Sequence, residues 1–365
     1  MDFQWRKKRE RKAFLALADG TVFHGYSFGY PEDCTGEAVF NTGMTGYGEI
    51  VSDPSYAGQF VVLTTAEVGC YGCCGGDMES RGLFLNGLIV QEINRSSNFS
   101  SEEELPQRLL RYRKPAIAGV DTRALTLHLR NSGAQKAYLH VSEDVLPEAE
   151  AVRRAAAWEG LDGKDYASLV SVREPYHWNS SGSRYVVVYD FGVKYGILRQ
   201  LDASGIRVDV VPAGMPAGEV LALHPDGVFL SNGPADPSAV GYAVENIRSL
   251  LGKVPVMGIC LGHQLLGLAC GAACGRLKFG HHGCNHPVKD LRTGEVAISS
   301  QNHNYALKEL PDCLELTHVN LNDGSCEGIC HRTFPAFSVQ FHPEAAPGPH
   351  DARKLFERFI HLMEH

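Results

Sequence analysis

Residues 254–268 read VPVMGICLGHQLLGL, an apolar run followed by a G-x-C-x-G element and then by leucines at helical spacing. This order predicts a buried strand, a sharp turn at Cys260 and a helix. Further apolar runs that alternate with helical patterns precede it, at residues 185–189, 206–211 and 227–230. The second half of the chain is therefore predicted to be an α/β domain, with a mostly parallel sheet flanked by helices.

Cys260 has the surroundings of a nucleophile. The glycines on either side let the chain turn, so that the side chain projects from the carboxyl edge of the sheet. A thiol at a helix N-terminus is favoured as thiolate, and the amide of Leu261 would face an oxyanion on the attacked carbon. The alternative is an inert buried thiol, which is the usual fate of a free cysteine.

A candidate general base lies in residues 337–344, which read FSVQFHPE. The alternating apolar residues predict a strand that ends at His342. Residues i and i+2 of an extended chain project to the same side, so Glu344 can hold one imidazole nitrogen while the other faces a thiol. Cys260, His342 and Glu344 are thus predicted to form a catalytic triad. Alternatively, His342 only caps the strand and Glu344 is solvated.

Composition narrows the class of protein. The 365 residues suggest two or three domains at ~150 residues each. A formal net charge of −8 provides no general attraction for nucleic acid or for a membrane surface. No apolar run approaches the ~18 residues of a membrane span. Eleven cysteines are an odd number spread over a long chain, which favours reduced thiols and a cytoplasmic location.

The chain is predicted to have four parts. Residues 1–12 form a basic tail that we expect to be solvated. Residues 13–141 form a smaller β-rich α/β domain, in which Asp121 caps a helix. Residues 142–183 end in a run of Asn, Ser and Gly that is typical of a linker. Residues 184–365 form the α/β domain that contains Cys260.

The second half resembles the class I glutamine amidotransferases. Three segments carry this resemblance, in the order Ser231-Asn-Gly-Pro-x-Asp-Pro237, Gly258-Ile-Cys-Leu-Gly-His-Gln264 and Gln340-x-His-Pro-Glu344. The resemblance implies hydrolysis of glutamine through a thioester on Cys260, with His342 transferring protons and Glu344 holding His342. It also implies that the amides of Leu261 and Gly233 stabilise the oxyanion.

Residues 40–56, 121–126 and 189–194 resemble the carbamoyl-phosphate synthetase small-chain family. This resemblance runs from about residue 13 to the C-terminus. It implies that ammonia passes through an internal tunnel to a large subunit, which makes carbamoyl phosphate from bicarbonate and two ATP for pyrimidine and arginine synthesis. ATP and Mg²⁺ are expected on the large subunit and no cofactor on this chain, which lacks a P-loop motif. The implied glutamine contacts are Gly43, Gly233, Ala235, Leu261, Gln264, Asn302, Asn304 and Tyr305.

Several positions depart from the pattern of that family. Gly43 replaces Ser, Gly48 replaces Gln, Ala235 replaces Gly, and Asn304-Tyr305 replaces Gly-Phe. None of them belongs to the triad. We therefore expect a raised KM for glutamine rather than a lost kcat.

Two other functions stay open, namely a free-standing glutaminase and a pseudo-glutaminase that only scaffolds the same complex. Residues 40–56 and 121–126 argue against the first, and the intact triad argues against the second.

Two clusters offer possible zinc ligands, Cys70-x-x-Cys73-Cys74 and His281-His282-x-Cys284-x-His286. The first cluster lacks a second ligand pair. The histidines of the second cluster lie in a segment that matches the family, and the family binds no metal there. We therefore expect no metal.

Overall fold

The computed structural model describes residues 3–234 and 236–364. The chain divides into two compact units between Leu161 and Asp162. This division falls within residues 142–183, the segment interpreted above as a linker.

The first unit is built around a closed barrel with strand order β1-β2-β8-β6-β4-β3-β9. Its strands are β1 (Lys12–Leu17), β2 (Val22–Ser27), β3 (Cys34–Asn41), β4 (Gln59–Leu63), β5 (Glu67–Val68), β6 (Gly87–Ile89), β7 (Glu92–Ile93), β8 (Ala116–Ala118) and β9 (Gln135–His140). Its helices are α1 (Tyr47–Ser52), α2 (Leu105–Arg111), α3 (Thr122–Ser132) and α4 (Glu148–Ala157). The predicted cap of α3 is confirmed, because the Asp121 side chain accepts a hydrogen bond from the amide of Ala124.

Most of the basic N-terminal segment is exposed, as we expected, but two of its cations are paired. Lys8 pairs with Glu92, and Arg9 lies 2.9 Å from the same carboxylate. The hydroxyl of Tyr26 donates to Glu92 as well. A local run of charge could not show this, since the counter-charge lies more than eighty residues further along the chain.

The second unit contains a 10-stranded sheet with strand order β10-β12-β11-β13-β14-β19-β18-β17-β15-β16. Its strands are β10 (Tyr176–His177), β11 (Arg184–Asp190), β12 (Ile206–Pro212), β13 (Gly227–Leu230), β14 (Val256–Ile259), β15 (Ala273–Asp290), β16 (Val296–Glu309), β17 (Leu314–Asn320), β18 (Cys326–His331) and β19 (Ala336–Val339). Its helices are α5 (Ala167–Val170), α6 (Tyr195–Ala203), α7 (Ala217–Ala222), α8 (Gly241–Leu250), α9 (Leu261–Ala269) and α10 (Lys354–Leu362).

The predicted α/β class is confirmed, and the parallel part of the sheet is its centre. Strands β12, β11, β13, β14 and β19 pair in parallel, whereas β18, β17, β15 and β16 continue the sheet by antiparallel pairing. Both faces of the centre are buried, because Val187 packs into one apolar cluster and Val186 and Val188 into the other. The carboxyl ends of the parallel strands therefore form one edge at which polar groups can gather. Among the described residues, the helices are all too short or too polar to cross a bilayer.

Candidate active site

Cys260 occupies the sharp turn between β14 and α9 that the sequence predicts. Its φ of 54° lies in the left-handed region, which is strained for a residue with a side chain. Glycine is required on both sides of it. A Cβ on Gly262 would lie 2.2 Å from the Leu230 carbonyl oxygen, and one on Gly258 would lie 2.7 Å from the carbonyl oxygen of Gly262. The turn is thus held by close backbone contacts that only glycine permits.

The thiol of Cys260 lies in the interior, with 2 % of the residue exposed. The amide of Cys260 donates to the Val339 carbonyl oxygen, which fixes the turn to β19. The Sγ donates to the carbonyl oxygen of Asn302, at 3.4 Å. The nucleophile candidate therefore lies between β19 and the segment of β16 that contains Asn302.

His342 and Glu344 form the predicted pair, with Nδ1 and Oε1 2.6 Å apart and both side chains buried. The strand ends earlier than expected, since β19 stops at Val339. A bridge to β16 holds His342 instead, and its amide donates to the carbonyl oxygen of Ser300. The Nε2 atom of His342 is buried without a hydrogen-bond partner in the part of the chain that the structure describes. This nitrogen is therefore free to exchange a proton with a reacting group.

The charged forms of His342 and Glu344 stabilise each other. Burial lowers the pKa of His342, but Glu344 and Cys260 outweigh it and raise that pKa to about 10. Burial raises the pKa of Glu344, but Lys194 and His342 outweigh it and lower that pKa to about 2. An imidazolium beside a carboxylate is consequently the favoured state near neutral pH, so His342 holds a proton that it can give to a leaving group.

Lys194 is a part of this cluster that the sequence reasoning did not single out. Its ammonium group lies 2.9 Å from Glu344 Oε1 and 2.6 Å from the carbonyl oxygen of Ala345. Its side chain is only 3 % exposed. The sequence does contain a signal for Lys194. It is a charged residue in an apolar loop just after the buried strand β11, at the carboxyl edge of the sheet, where functional groups gather.

The loop after β13 packs against the turn at Cys260. A Cβ on Gly233 would lie 2.2 Å from the Phe191 carbonyl oxygen and 2.7 Å from the Leu261 side chain, so only glycine fits there. Asn232 is fully buried, and its Oδ1 accepts from the amide of Lys194. The backbone of Gly233 thus packs against the Leu261 side chain. Ala235 lies outside the described residues.

The predicted glutamine contacts on β16 and α9 also come together. Gln264 Nε2 donates to the Tyr305 carbonyl oxygen at 2.8 Å and to Gln340 Oε1 at 3.0 Å. His282 holds both asparagines, because its Nδ1 lies 2.9 Å from Asn302 Oδ1 and its Nε2 lies 3.0 Å from Asn304 Oδ1. The Asn304 side chain therefore contacts His282, a contact that glycine, the usual residue of the family at this position, could not make.

Gly43 and Gly48 belong to the first unit. The amide of Gly43 donates to Asn41 Oδ1 at 2.7 Å. Gly48 is buried in α1, where a Cβ would lie 3.3 Å from Cβ of Asp77. A glutamine at position 48 would therefore require Asp77 to shift.

One group of described residues has the spacing of metal ligands, formed by His281, His303 and Glu327, whose atoms lie within 4.8 Å of one another. Gln301 separates two of them, since its Oε1 lies 2.9 Å from His303 Nε2 and its Nε2 donates to Glu327 Oε2 at 2.9 Å. Asn320 donates to the other oxygen of Glu327. These hydrogen bonds occupy most of the ligand atoms, so we interpret the group as a buried hydrogen-bond network that stabilises β16.

Both halves of the chain match known protein families. Residues 187–362 match the family model for class-I glutamine amidotransferases, and residues 15–139 match that for the CPSase domain of the carbamoyl-phosphate synthase small chain. A carbamoyl phosphate synthase small chain from Syntrophotalea carbinolica is 51% identical, over 97% of this chain and 98% of its own. One from Chlorobaculum tepidum is 48% identical, over 98% and 99%. A pyrimidine-specific small chain from Bacillus subtilis is 49% identical, over 97% and 96%. The chain therefore belongs to the family of carbamoyl phosphate synthase small chains.

Proposed function

We propose that this chain hydrolyses glutamine to glutamate and ammonia through a thioester on Cys260. The thiol proton of Cys260 passes to His342 Nε2 and the sulfur attacks the side-chain amide carbon, so that the S–C bond forms as the carbonyl electrons move to oxygen. The C–N bond then breaks while His342 gives its proton to the departing nitrogen, which leaves as ammonia. Water attacks the thioester, His342 takes a proton from it, and the S–C bond breaks to release glutamate.

The observation that carries this proposal is the orientation of His342. Its Nδ1 is held by Glu344, while its buried Nε2 has no partner among the described residues. This leaves one nitrogen for proton transfer at the sulfur and the leaving group, which is the division of roles in a triad.

The oxyanion is assigned to the amides of Leu261 and Gly233. Leu261 is the first residue of α9, and the amides of a first helical turn have no acceptor within the helix. Such donors, together with the positive end of the helix, stabilise negative charge that develops on the attacked oxygen.

The ammonia is assigned to a large subunit that makes carbamoyl phosphate from bicarbonate and two ATP, for pyrimidine and arginine synthesis. ATP and Mg²⁺ then bind that partner, and this chain needs no cofactor of its own. Ammonia has to travel through an interior passage, because in water it would be protonated and lost as a nucleophile. We place the reaction in the cytoplasm, which suits a chain whose eleven cysteines are thiols.

The test is Cys260→Ser in the complex with the large subunit. We expect glutamine-dependent synthesis of carbamoyl phosphate to be lost, while synthesis from added ammonium continues, because the serine hydroxyl is a far weaker nucleophile. Cys313→Ser, at a half-buried thiol of the same unit, is the matched control and should behave as wild type. Glutamine-dependent synthesis that persists in Cys260→Ser would reject the proposal.

Two results would support the alternatives. Full glutamine turnover by the wild-type chain without the large subunit would favour a free-standing glutaminase. A wild-type complex that uses ammonium but never glutamine would favour a scaffolding pseudo-glutaminase.

A further inference from the structure

Tyr305 lies in β16 at the point where that strand contacts the helix of the nucleophile. The residue is buried, and its carbonyl oxygen accepts hydrogen bonds from Gln264 Nε2 at 2.8 Å and from His303 Nδ1 at 2.7 Å. Gln264 lies one turn beyond Cys260, whose carbonyl oxygen accepts the Gln264 amide proton. The backbone position of Tyr305 is therefore linked to the start of α9.

The same stretch of β16 reaches the thiol directly. Three residues before Tyr305, the carbonyl oxygen of Asn302 accepts the hydrogen bond from Cys260 Sγ. A shift of residues 302–305 would thus displace both the carbonyl oxygen that accepts from the Cys260 thiol and the one that accepts from Gln264. A contact that fixes residues 302–305 therefore influences how a substrate is held beside Cys260.

The phenol end of Tyr305 is anchored near the protein surface. Its hydroxyl donates to the carboxylate of Asp162, and Arg276 pairs with that carboxylate and lies 5.7 Å from the centre of the tyrosine ring. The Asp162 side chain is 64% exposed and that of Arg276 is 28% exposed. Such an exposed ion pair adds little to stability, so its value lies in the orientation that it imposes on the ring.

The hydroxyl remains a donor at working pH. Burial raises the pKa of Tyr305, and the hydrogen bond to Asp162 raises it further. Phenylalanine, which the family resemblance gives as the usual residue here, would keep the ring and lose this donor. At position 305 the departure from the family therefore adds a contact, contrary to the raised KM that we expected from the departures above. The link to Asp162 is thus a feature of the tyrosine.

We propose that Tyr305 is a positioning residue whose hydrogen bond to Asp162, supported by Arg276, holds residues 302–305 in the arrangement that binds glutamine. The inference rests on the proposed function. It concerns affinity rather than chemistry, because Glu344 and the Ser300 carbonyl oxygen hold His342, and Lys194 holds Glu344, independently of this contact.

The experiment measures kcat and KM for L-glutamine in the complex with the large subunit, for Tyr305→Phe, Asp162→Ala and the double variant. A hydrogen bond from a neutral hydroxyl to an exposed carboxylate has a modest net value, so we expect each single variant to raise KM about 3- to 10-fold with kcat within about twofold. The double variant should be no worse than either single variant, because both remove the same bond.

Tyr242→Phe is the matched control. Asp165 hydrogen-bonds to Tyr242 at the start of α8, so this variant also removes a tyrosine–aspartate contact, at a place outside the cluster described here. It should leave KM unchanged. Protection of Cys260 from iodoacetamide by L-glutamine provides a second readout, and the half-protecting concentration should rise in Tyr305→Phe in parallel with KM.

The outcomes separate the two proposals. A wild-type complex that turns over glutamine, with the same KM and protection in Tyr305→Phe, overturns the positioning role alone. Additive effects in the double variant, or an equal effect of Tyr242→Phe, overturn it too. A wild-type complex that neither turns over nor binds glutamine overturns the proposed function and this inference together.

Discussion

Lys194 lies 2.9 Å from Glu344, although 150 residues separate them in the chain. The oxygen of Glu344 that accepts from Lys194 also accepts from His342 Nδ1. All three side chains are buried, so the carboxylate balances two cations away from water. Each charge consequently depends on the others for its ionisation.

Lys194→Met is expected to weaken both the fold and the triad. Loss of one partner from a buried ion pair typically costs ~3–5 kcal/mol of the free energy of unfolding. Lys194 lowers the pKa of Glu344, so its removal raises that pKa. The stability due to Glu344 is present above its unfolded pKa and is lost as pH falls through the folded value, so in the variant this loss begins at a higher pH.

The measurements are urea unfolding and the pH profile of kcat/KM for glutamine. Lys354→Met, which removes a cation from an exposed pair with Glu295, is the control and should change stability by less than ~1 kcal/mol. If the acidic limb of the profile stays in place in Lys194→Met, Lys194 does not set the ionisation of Glu344.

Gly233→Ala is expected to abolish most glutamine turnover. Its Cβ would lie 2.2 Å from the Phe191 carbonyl oxygen, so the loop has to move away from Leu261. Loss of one oxyanion donor costs about 100-fold or more in kcat. Gly241→Ala is the matched control, since a Cβ at Gly241 meets no atom within 4 Å. Equal kcat values in the two variants would exclude an oxyanion role for this loop.

Glu327→Gln should change how stability depends on pH. Burial raises the pKa of Glu327 to about 7, and the hydrogen bonds from Gln301 and Asn320 offset only part of this shift. The folded state therefore binds a proton more tightly than the unfolded state, and the contribution of Glu327 to stability falls as pH rises from about 4.5 to 7. The size of this loss is on the order of 3 kcal/mol.

Glutamine cannot ionise, so the stability of wild type relative to Glu327→Gln should fall between pH 5 and pH 8. Urea unfolding at the two pH values measures this difference. Glu309→Gln, at an exposed position of β16, should show no such change. A constant difference between wild type and Glu327→Gln would mean that Glu327 keeps one charge state throughout.

Gly43→Ser is expected to lower KM for glutamine without changing kcat. The added hydroxyl is the group that the family resemblance provides at this position. An added hydrogen bond has a net value of ~1 kcal/mol, so KM should fall about fivefold. Steady-state kinetics on the complex test this expectation. A KM that stays the same would show that Gly43 is not the origin of any weak affinity.

Short-range patterns were sufficient to predict the turn at Cys260 and its surroundings. The turn at Cys260 follows from two glycines between an apolar run and a helical pattern, because backbone contacts within a few residues decide it. The pairing of His342 with Glu344 also follows from local spacing, although β19 ends before His342 and a bridge to Ser300 replaces the expected strand.

The sequence by itself determined the α/β class of the second unit, the turn that holds the Cys260 thiol and the pairing of His342 with Glu344, because periodicity and local sterics act over a few residues. Only the tertiary structure decided which distant charges meet: Lys8 with Glu92, Lys194 with Glu344, and Tyr305 with Asp162. Their ionisation depends on how far each group is removed from water and on which partner lies beside it. The burial of each group and the identity of its partner are both fixed only when segments more than eighty residues apart pack together.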